Sequence, residues 1–345
     1  MKAELSDWRP FCRHFLGAAL GVLGSVYAFV AIVDPFDILP LSPPFNRPPI
    51  ATNARFGFPS LARSPKFDAA LFGTSTSRLL RPVVLNEVFD AKFVNLAMND
   101  STAYEQSRLL QIFARAHPAA TMVGIGIDIR WCETGEEVAK YTARAFPEWM
   151  YRSDLWPGYR ELLNLYTIEA AGQMFGTLTG LKKERYGRDG YTRFVPPDNQ
   201  YDRAKVAAKM DQAGVTIPGG ERQGAASTWR FPTHEWLQAG LDRFAPATRK
   251  ILFFVPYNHH ILSVPGVKGG EVWTECKQRI AALAAARPNT LAVDFMIPSP
   301  ITDDDDNYWD PLHYRAAIAD RLASDLGRAW REEVSPDFVV LTAPR

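Results

Sequence analysis

Cysteine is scarce in this sequence and net charge is almost absent. The three cysteines, Cys12, Cys132 and Cys276, cannot build a disulfide scaffold, and none sits in a Cys-x-x-Cys spacing suited to zinc. At most one bridge is open to them on the C-terminal side of the chain, between Cys132 and Cys276. Lys and Arg number 39 against 38 Asp and Glu, a formal charge of +1, so no global field gathers nucleic acid. Internal repeats, heptad arrays and low-complexity tracts are missing too. What is present is apolar mass: 47% of the 345 residues are hydrophobic and 22% charged, which excludes a disordered chain and supports a sizeable core. The length suits two domains, or one large domain with insertions.

Residues 15–33 carry no charge at all. A helix needs about 20 such residues to cross a bilayer. Lys2, Arg9 and Arg13 precede the run, whereas Asp34 and Asp37 follow it. The positive-inside rule then makes 1–14 cytoplasmic, 15–33 a transmembrane anchor and the rest extracytoplasmic. The expected location is the inner (cytoplasmic) membrane, single-pass, with the body in the periplasm. A cleaved signal is the rival, but the run is long for one and no Ala-x-Ala site follows. Gly17, Gly21 and Ser25 share one face of the run, a spacing that permits close helix pairing. Residues 34–65 are rich in proline, which fixes φ and removes an N–H, and are expected to form an extended tether.

Beyond the tether, short apolar runs alternate with amphipathic stretches. Strands are expected at 66–73, 92–97, 121–129, 250–257 and 290–297, and helices at 102–117, 272–286 and 313–332. Such alternation predicts βαβ units and an α/β fold with a five-stranded parallel sheet, leaving 334–345 as a tail. Residues 132–233 interrupt the rhythm as an expected, largely helical insertion. It is rich in aromatics and carries a basic cluster, Lys182, Lys183, Arg185, Arg188 and Arg193. Leaving the sheet at the carboxyl end of the third strand, it is expected to fold back over that rim as a lid or wall.

Ligands of open parallel sheets bind beyond the carboxyl ends of the strands. The first strand runs into Gly73-Thr74-Ser75, which puts a serine on a tight turn at that rim. A serine nucleophile needs a base. Of six histidines, His14 adjoins the anchor, His117 ends a helix on the opposite rim, and His234 begins a helix after the insertion. His259 and His260 follow the fourth strand and remain candidates. His313 follows the fifth, in Asp310-Pro311-Leu312-His313, where Asp310 as an N-cap and Pro311 at the first helical position would bring carboxylate and imidazole together. Each segment also has a plainer explanation, a Ser/Thr-rich helix cap and an Asp-Pro cap.

Together the two segments resemble the SGNH/GDSL hydrolase superfamily. Gly73-Thr74-Ser75 looks like its first block, Asp310-Pro311-Leu312-His313 like its last, and the stretch from Asn95 through Asp100 to Glu105 like its second. The resemblance implies a flavodoxin-like three-layer sandwich over 66–333, a catalytic Ser75, His313 and Asp310, oxyanion donors from the N–H groups of Ser75 and Asp100, and no cofactor or metal. The anchor adds a likeness to relatives that modify polysaccharides, such as alginate O-acetyltransferases. Three departures stand out. Thr74 replaces the first-block aspartate, Asp100 the second-block glycine, and Asp128 the third-block asparagine. An ionised Asp128 cannot donate to an oxyanion. Arg130 is a candidate substitute.

The expected function is an envelope-facing serine esterase or O-acyltransferase acting on a carbohydrate. Its partners would be the membrane, a carbohydrate or acylated glycan and a membrane acyl-donor protein, with no nucleic acid. Asn258, His260, Tyr308, Trp309 and Arg130 are the expected substrate contacts, the two aromatics by stacking on a sugar ring. A non-catalytic glycan-binding or polysaccharide-assembly scaffold on the same fold is the alternative, and a lipid esterase a third. The acidic run 303–306 is expected to be a solvated loop rather than a calcium site.

Overall fold

The computed structural model describes residues 4–214, 217–220, 224–267 and 269–345. In chain order the elements are α1 (Glu4–Val33), α2 (Ala54–Leu61), β1 (Ala69–Phe72), α3 (Ser75–Arg78), α4 (Pro82–Phe89), β2 (Phe93–Asn95), α5 (Ala103–Ala116) and β3 (Met122–Ile127). They continue as α6 (Leu165–Leu178), α7 (Arg203–Asp211), α8 (Thr233–Leu241), β4 (Arg249–Phe254), α9 (Gly270–Ala285), β5 (Thr290–Asp294), α10 (Ala316–Trp330) and β6 (Val339–Thr342), with short 3₁₀ turns between.

The six strands form one sheet in the order β2-β1-β3-β4-β5-β6. Neighbours are parallel from β2 through β5, and β6 runs antiparallel beside β5. The sheet thus has one strand more than expected: Val339–Thr342, expected to be tail, is a largely β-branched run that pairs along the edge of β5. β1, β3 and β5 are buried along their whole length, as parallel strands covered on both faces must be. Right-handed crossovers put α4, which links β1 to β2, on one face and the helices linking β2 through β5 on the other. The packing agrees: α4 contacts α10, and α5 contacts α8. Thr102 caps α5 in a box with Glu105, each side chain meeting the other's backbone N–H.

The chain divides into two compact units. The first joins the N-terminal segment up to Thr52 with Pro147–Tyr186. Within it α1 packs on α6, with Phe29 and Phe175 edge to face at 5.7 Å. α1 is the one described helix long and apolar enough to cross a membrane, Trp8–Val33 with a mean hydropathy of 2.2. It leaves Phe11, Phe15, Leu16, Leu20, Val22 and Leu23 exposed. Lys2 lies outside the described residues. The chain after α1 is not a free tether. Val33, Phe36, Ile38 and Leu39 are buried, and the Asp34 carboxylate accepts the N–H groups of Ile38 and Leu39. Arg47 donates to the carbonyls of Val33 at 2.7 Å and Ile32 at 3.3 Å, satisfying two groups the helix end leaves open.

The second unit, Asn53–Phe146 with Gly187–Arg345, holds the whole sheet. Two sequence expectations change here. Residues 34–65, expected to be extended throughout, contain α2, whose N-cap Asn53 accepts the Arg55 N–H. The insertion 132–233 is not one helical body: Pro147–Tyr186 groups with α1 and the rest with the sheet, and among its described residues α6 and α7 are the α-helices it contains before α8 begins at Thr233. Its basic cluster is split the same way, with exposed Lys182, Lys183 and Arg185 in the first unit and exposed Arg188 and Arg193 in the second. A disulfide joins Cys132, just after β3, to Cys276 on α9, with Cα atoms 5.6 Å apart; Cys12 is free and exposed.

Candidate active site

Ser75 follows β1 across two residues and opens α3. Gly73 makes the turn with φ at 144°, where a Cβ would lie 2.2 Å from Ser77 Oγ. Gly126 on β3 is as constrained, since a Cβ there would fall 1.9 Å from the same oxygen. Fully buried Ser77 therefore fills the gap between β1 and β3, and both glycines are needed to let α3 sit this close to the sheet. Tyr314 donates its hydroxyl to Thr76 O at 2.5 Å and so ties the turn to the segment that carries the histidine.

That segment is a turn, not the helix start expected at 313. The helix α10 begins at Ala316, with Arg315 as its cap. Asp310 Oδ1 accepts the N–H groups of Leu312 and His313, each at 3.0 Å, an Asx turn that brings the carboxylate under the ring. His313 Nδ1 lies 2.9 Å from both carboxylate oxygens, and its Nε2 lies 2.8 Å from Ser75 Oγ. An Nδ1–H donated to Asp310 leaves the Nε2 lone pair facing the serine hydroxyl. Burial alone would raise the Asp310 carboxyl. The His313 ring, its charge and the two backbone N–H groups outweigh it and hold the carboxyl below its ordinary range. Phe194 meets His313 edge to face at 5.5 Å, reached by a stretch whose Asp189 carbonyl accepts the Asn95 N–H at the end of β2. Only this second-unit part of the insertion is described beside the site.

Asp100 has φ at 52°, the left-handed conformation that glycine adopts most cheaply. An aspartate thus holds a backbone geometry that glycine would adopt without strain. No described residue accepts the N–H of Ser75 or of Asp100. Asp128 is buried at the end of β3, accepting the Thr74 hydroxyl on one oxygen and the Arg130 N–H on the other. Burial pushes it up to about 6 against the pull of those two donors. Arg130 spans two carboxylates, Asp100 at 3.0 Å and Glu133 at 2.9 Å. Its guanidinium is held beside the Asp100 loop rather than directed at a ligand.

Other expected contacts move into the frame. Asn258 and Tyr308 are fully buried and present no surface to a substrate. The Asn258 amide donates to Asp305 at 3.0 Å, its N–H to Pro311 O, and the Tyr308 hydroxyl to Pro256 O. Trp309 is nearly buried, edge-on to Tyr201 at 5.2 Å, and its indole N–H has no partner among the described residues. His260 lies 3.3 Å from Asp305. With His259 this makes the one described group whose donor atoms, all within 4.8 Å, are close enough to hold a metal ion. Each already has a protein partner: His259 with Thr302 O, His260 with Asp305, Asp305 with Asn258.

Sequence reasoning missed Arg55, which lies in the segment read as tether; Phe194 is one of the aromatics of the insertion expected to fold back over this rim. The one usable signal was Asn53, a helix N-cap residue. Fold and geometry thus define an α/β protein with a serine, a histidine and a carboxylate in line at the carboxyl rim of its sheet. No family model matches this chain, and no curated protein matches it.

Proposed function

We propose that this protein is a serine esterase or O-acyltransferase of the SGNH type, acting on a carbohydrate outside the cytoplasmic membrane. One observation carries the chemistry: Ser75 Oγ, His313 Nε2, His313 Nδ1 and Asp310 form an unbroken hydrogen-bonded line. Ser75 Oγ attacks the ester carbonyl while its proton passes to His313 Nε2. The N–H groups of Ser75 and Asp100 receive the oxyanion, and Asp310 stabilises the imidazolium. Collapse expels the alcohol, which takes the proton from His313 and leaves Ser75 acylated. Water attacking the acyl-enzyme gives the free acid. A sugar hydroxyl gives a new ester. Either acceptor loses its proton to His313, which returns it to Ser75 Oγ.

The order β2-β1-β3-β4-β5 supports the flavodoxin-like three-layer arrangement that this family resemblance implies. The extracytoplasmic assignment draws on Arg9 and Arg13 before α1, Asp34 and Asp37 after it, and the Cys132–Cys276 disulfide, which suits an oxidising compartment. Carbohydrate as substrate follows from the family likeness and the anchor.

A fluorophosphonate probe on the full chain, followed by peptide mapping, tests the nucleophile. Modification of Ser75, lost in Ser75→Ala and His313→Ala, is the expected result. An unmodified protein that still binds oligosaccharide would favour the alternative, a non-catalytic glycan-binding or assembly scaffold, for which Asp128 in place of the oxyanion asparagine is the supporting observation.

A further inference from the structure

Arg55 is one of the largest fully buried side chains of the protein, and the chemistry above does not use it. It sits in the first turn of α2 and reaches the loop after β2. Its Nε and Nη2 pair with both oxygens of Glu105, at 3.0 and 2.6 Å, and Glu105 is itself fully buried. Further donor contacts reach the loop and its neighbours. Nη2 donates to Thr142 Oγ1 at 3.2 Å and to Asp100 O at 3.1 Å, and Nη1 donates to Asn99 O at 3.3 Å.

The last two contacts bear on the oxyanion donor. The Asn99 carbonyl and the Asp100 N–H are opposite ends of one planar trans peptide, so fixing the oxygen fixes where the N–H points. The Asp100 carbonyl belongs to the next peptide plane. One guanidinium therefore holds both planes that flank the Asp100 Cα, and with them its left-handed φ of 52°. A positive donor on the carbonyl also polarises the peptide and strengthens its N–H as a donor. The Glu105 carboxylate neutralises the guanidinium on its far side and caps α5 through the Thr102 N–H at 3.1 Å.

We propose that Arg55 is the positioning residue of the oxyanion site, aiming the Asp100 N–H through the Asn99 carbonyl. This rests on the esterase reading of Ser75. Lysine would keep the charge but could not fork across Glu105 and two carbonyls. Removing a whole oxyanion donor costs about 10²- to 10³-fold in rate, so a misaimed one should cost about 10- to 100-fold.

The experiment uses the full detergent-solubilised chain, with 4-nitrophenyl acetate as ester and phenylboronic acid as a mimic of the tetrahedral state. In Arg55→Lys, kcat should fall about 10- to 100-fold with KM within about twofold, and boronate affinity should fall by a similar factor. Glu105→Gln removes the ion pair but leaves the guanidinium on the two carbonyls. It should melt earlier yet keep kcat within about twofold, as expected when no transition-state contact is lost. A Glu105→Gln variant that loses as much kcat as Arg55→Lys would make the pair merely structural and overturn the proposal. So would an Arg55→Lys variant with undiminished kcat. If the unaltered protein neither turns over the ester nor reacts with the fluorophosphonate, the esterase reading itself falls, and this proposal with it.

Discussion

At the scale of single residues, the electrostatics divide the carboxylates of the site into two kinds. Asp310 is held ionised by the imidazole it orients, whereas buried Asp128 is pushed up to about 6. Replacing Asp310 with Asn should lower kcat by about 10⁴-fold, because the amide no longer fixes the Nδ1–H tautomer, with binding of a product analogue unchanged. A loss smaller than about tenfold would argue against the triad. For Asp128 the sign follows from a folded-state value above the ordinary 3.8. Its proton binds the folded chain more tightly than the unfolded one, so its contribution is full below pH 3.8 and is lost as pH rises through about 6. At about 1.4 kcal/mol per pH unit, that gap is worth about 3 kcal/mol. Denaturant unfolding at pH 4 and pH 7.5 should show wild type losing about this much relative to Asp128→Asn across the interval. Parallel pH profiles for the two proteins would remove the effect.

The same scale shows what a sequence discloses about a site. Ser75 and the Asp310–His313 pair are legible because their chemistry is local: a strand end on one side, a three-residue turn on the other. Asn258 and Tyr308 are near the right place in the chain, but their burial depends on loops folded far from them in sequence. Arg55 has no local signature at all. Its partners at Asn99, Asp100 and Glu105 meet it only once α2 docks on α5.

Elements repeat the lesson with different causes. The five parallel strands are readable because strands buried on both faces are continuous apolar runs. β6 is not, since an edge strand with Val339 half-exposed looks like tail. Prolines hide α2, which nonetheless accommodates Pro59. The aromatic insertion reads equally as cap or as core, and its division between two units follows from contacts that composition does not encode. One link between elements is directly testable. The Cys132–Cys276 bridge spans 144 residues and fastens the exit of β3 to α9. Loop-closure entropy makes such a bridge worth about 3 to 5 kcal/mol. Cys132→Ser or Cys276→Ser should lower stability by about that amount in guanidinium titrations, and reduction of the unaltered protein should reproduce it. An unmoved midpoint in all three would show that the bridge adds no stability.

For the molecule as a whole, the proposed location rests on α1, which is long and apolar enough to cross a membrane. A reporter fused after residue 65 should be active only if that reporter functions outside the cytoplasm, and the full chain should stay with membranes through an alkaline carbonate wash. A cytoplasmic reporter signal would displace the carbohydrate proposal. Protein released by carbonate would turn the anchor into a peripheral or cleaved segment.

The turn from Asp310 to His313 has a consequence for how the line to Ser75 is built. Carboxylate and imidazole lie three residues apart and hold each other by bonds within their own loop, while Ser75 stands 238 residues away. Assembly of the proposed catalytic line therefore reduces to a single long-range closure, the approach of that loop to the end of β1. Mild denaturation should abolish turnover as soon as this one distance opens, while the downfield proton resonance of the Asp310-bound imidazole outlasts it. The two signals would then fade at different denaturant concentrations, separating the self-sufficient half of the machinery from the half that only the completed sheet supplies.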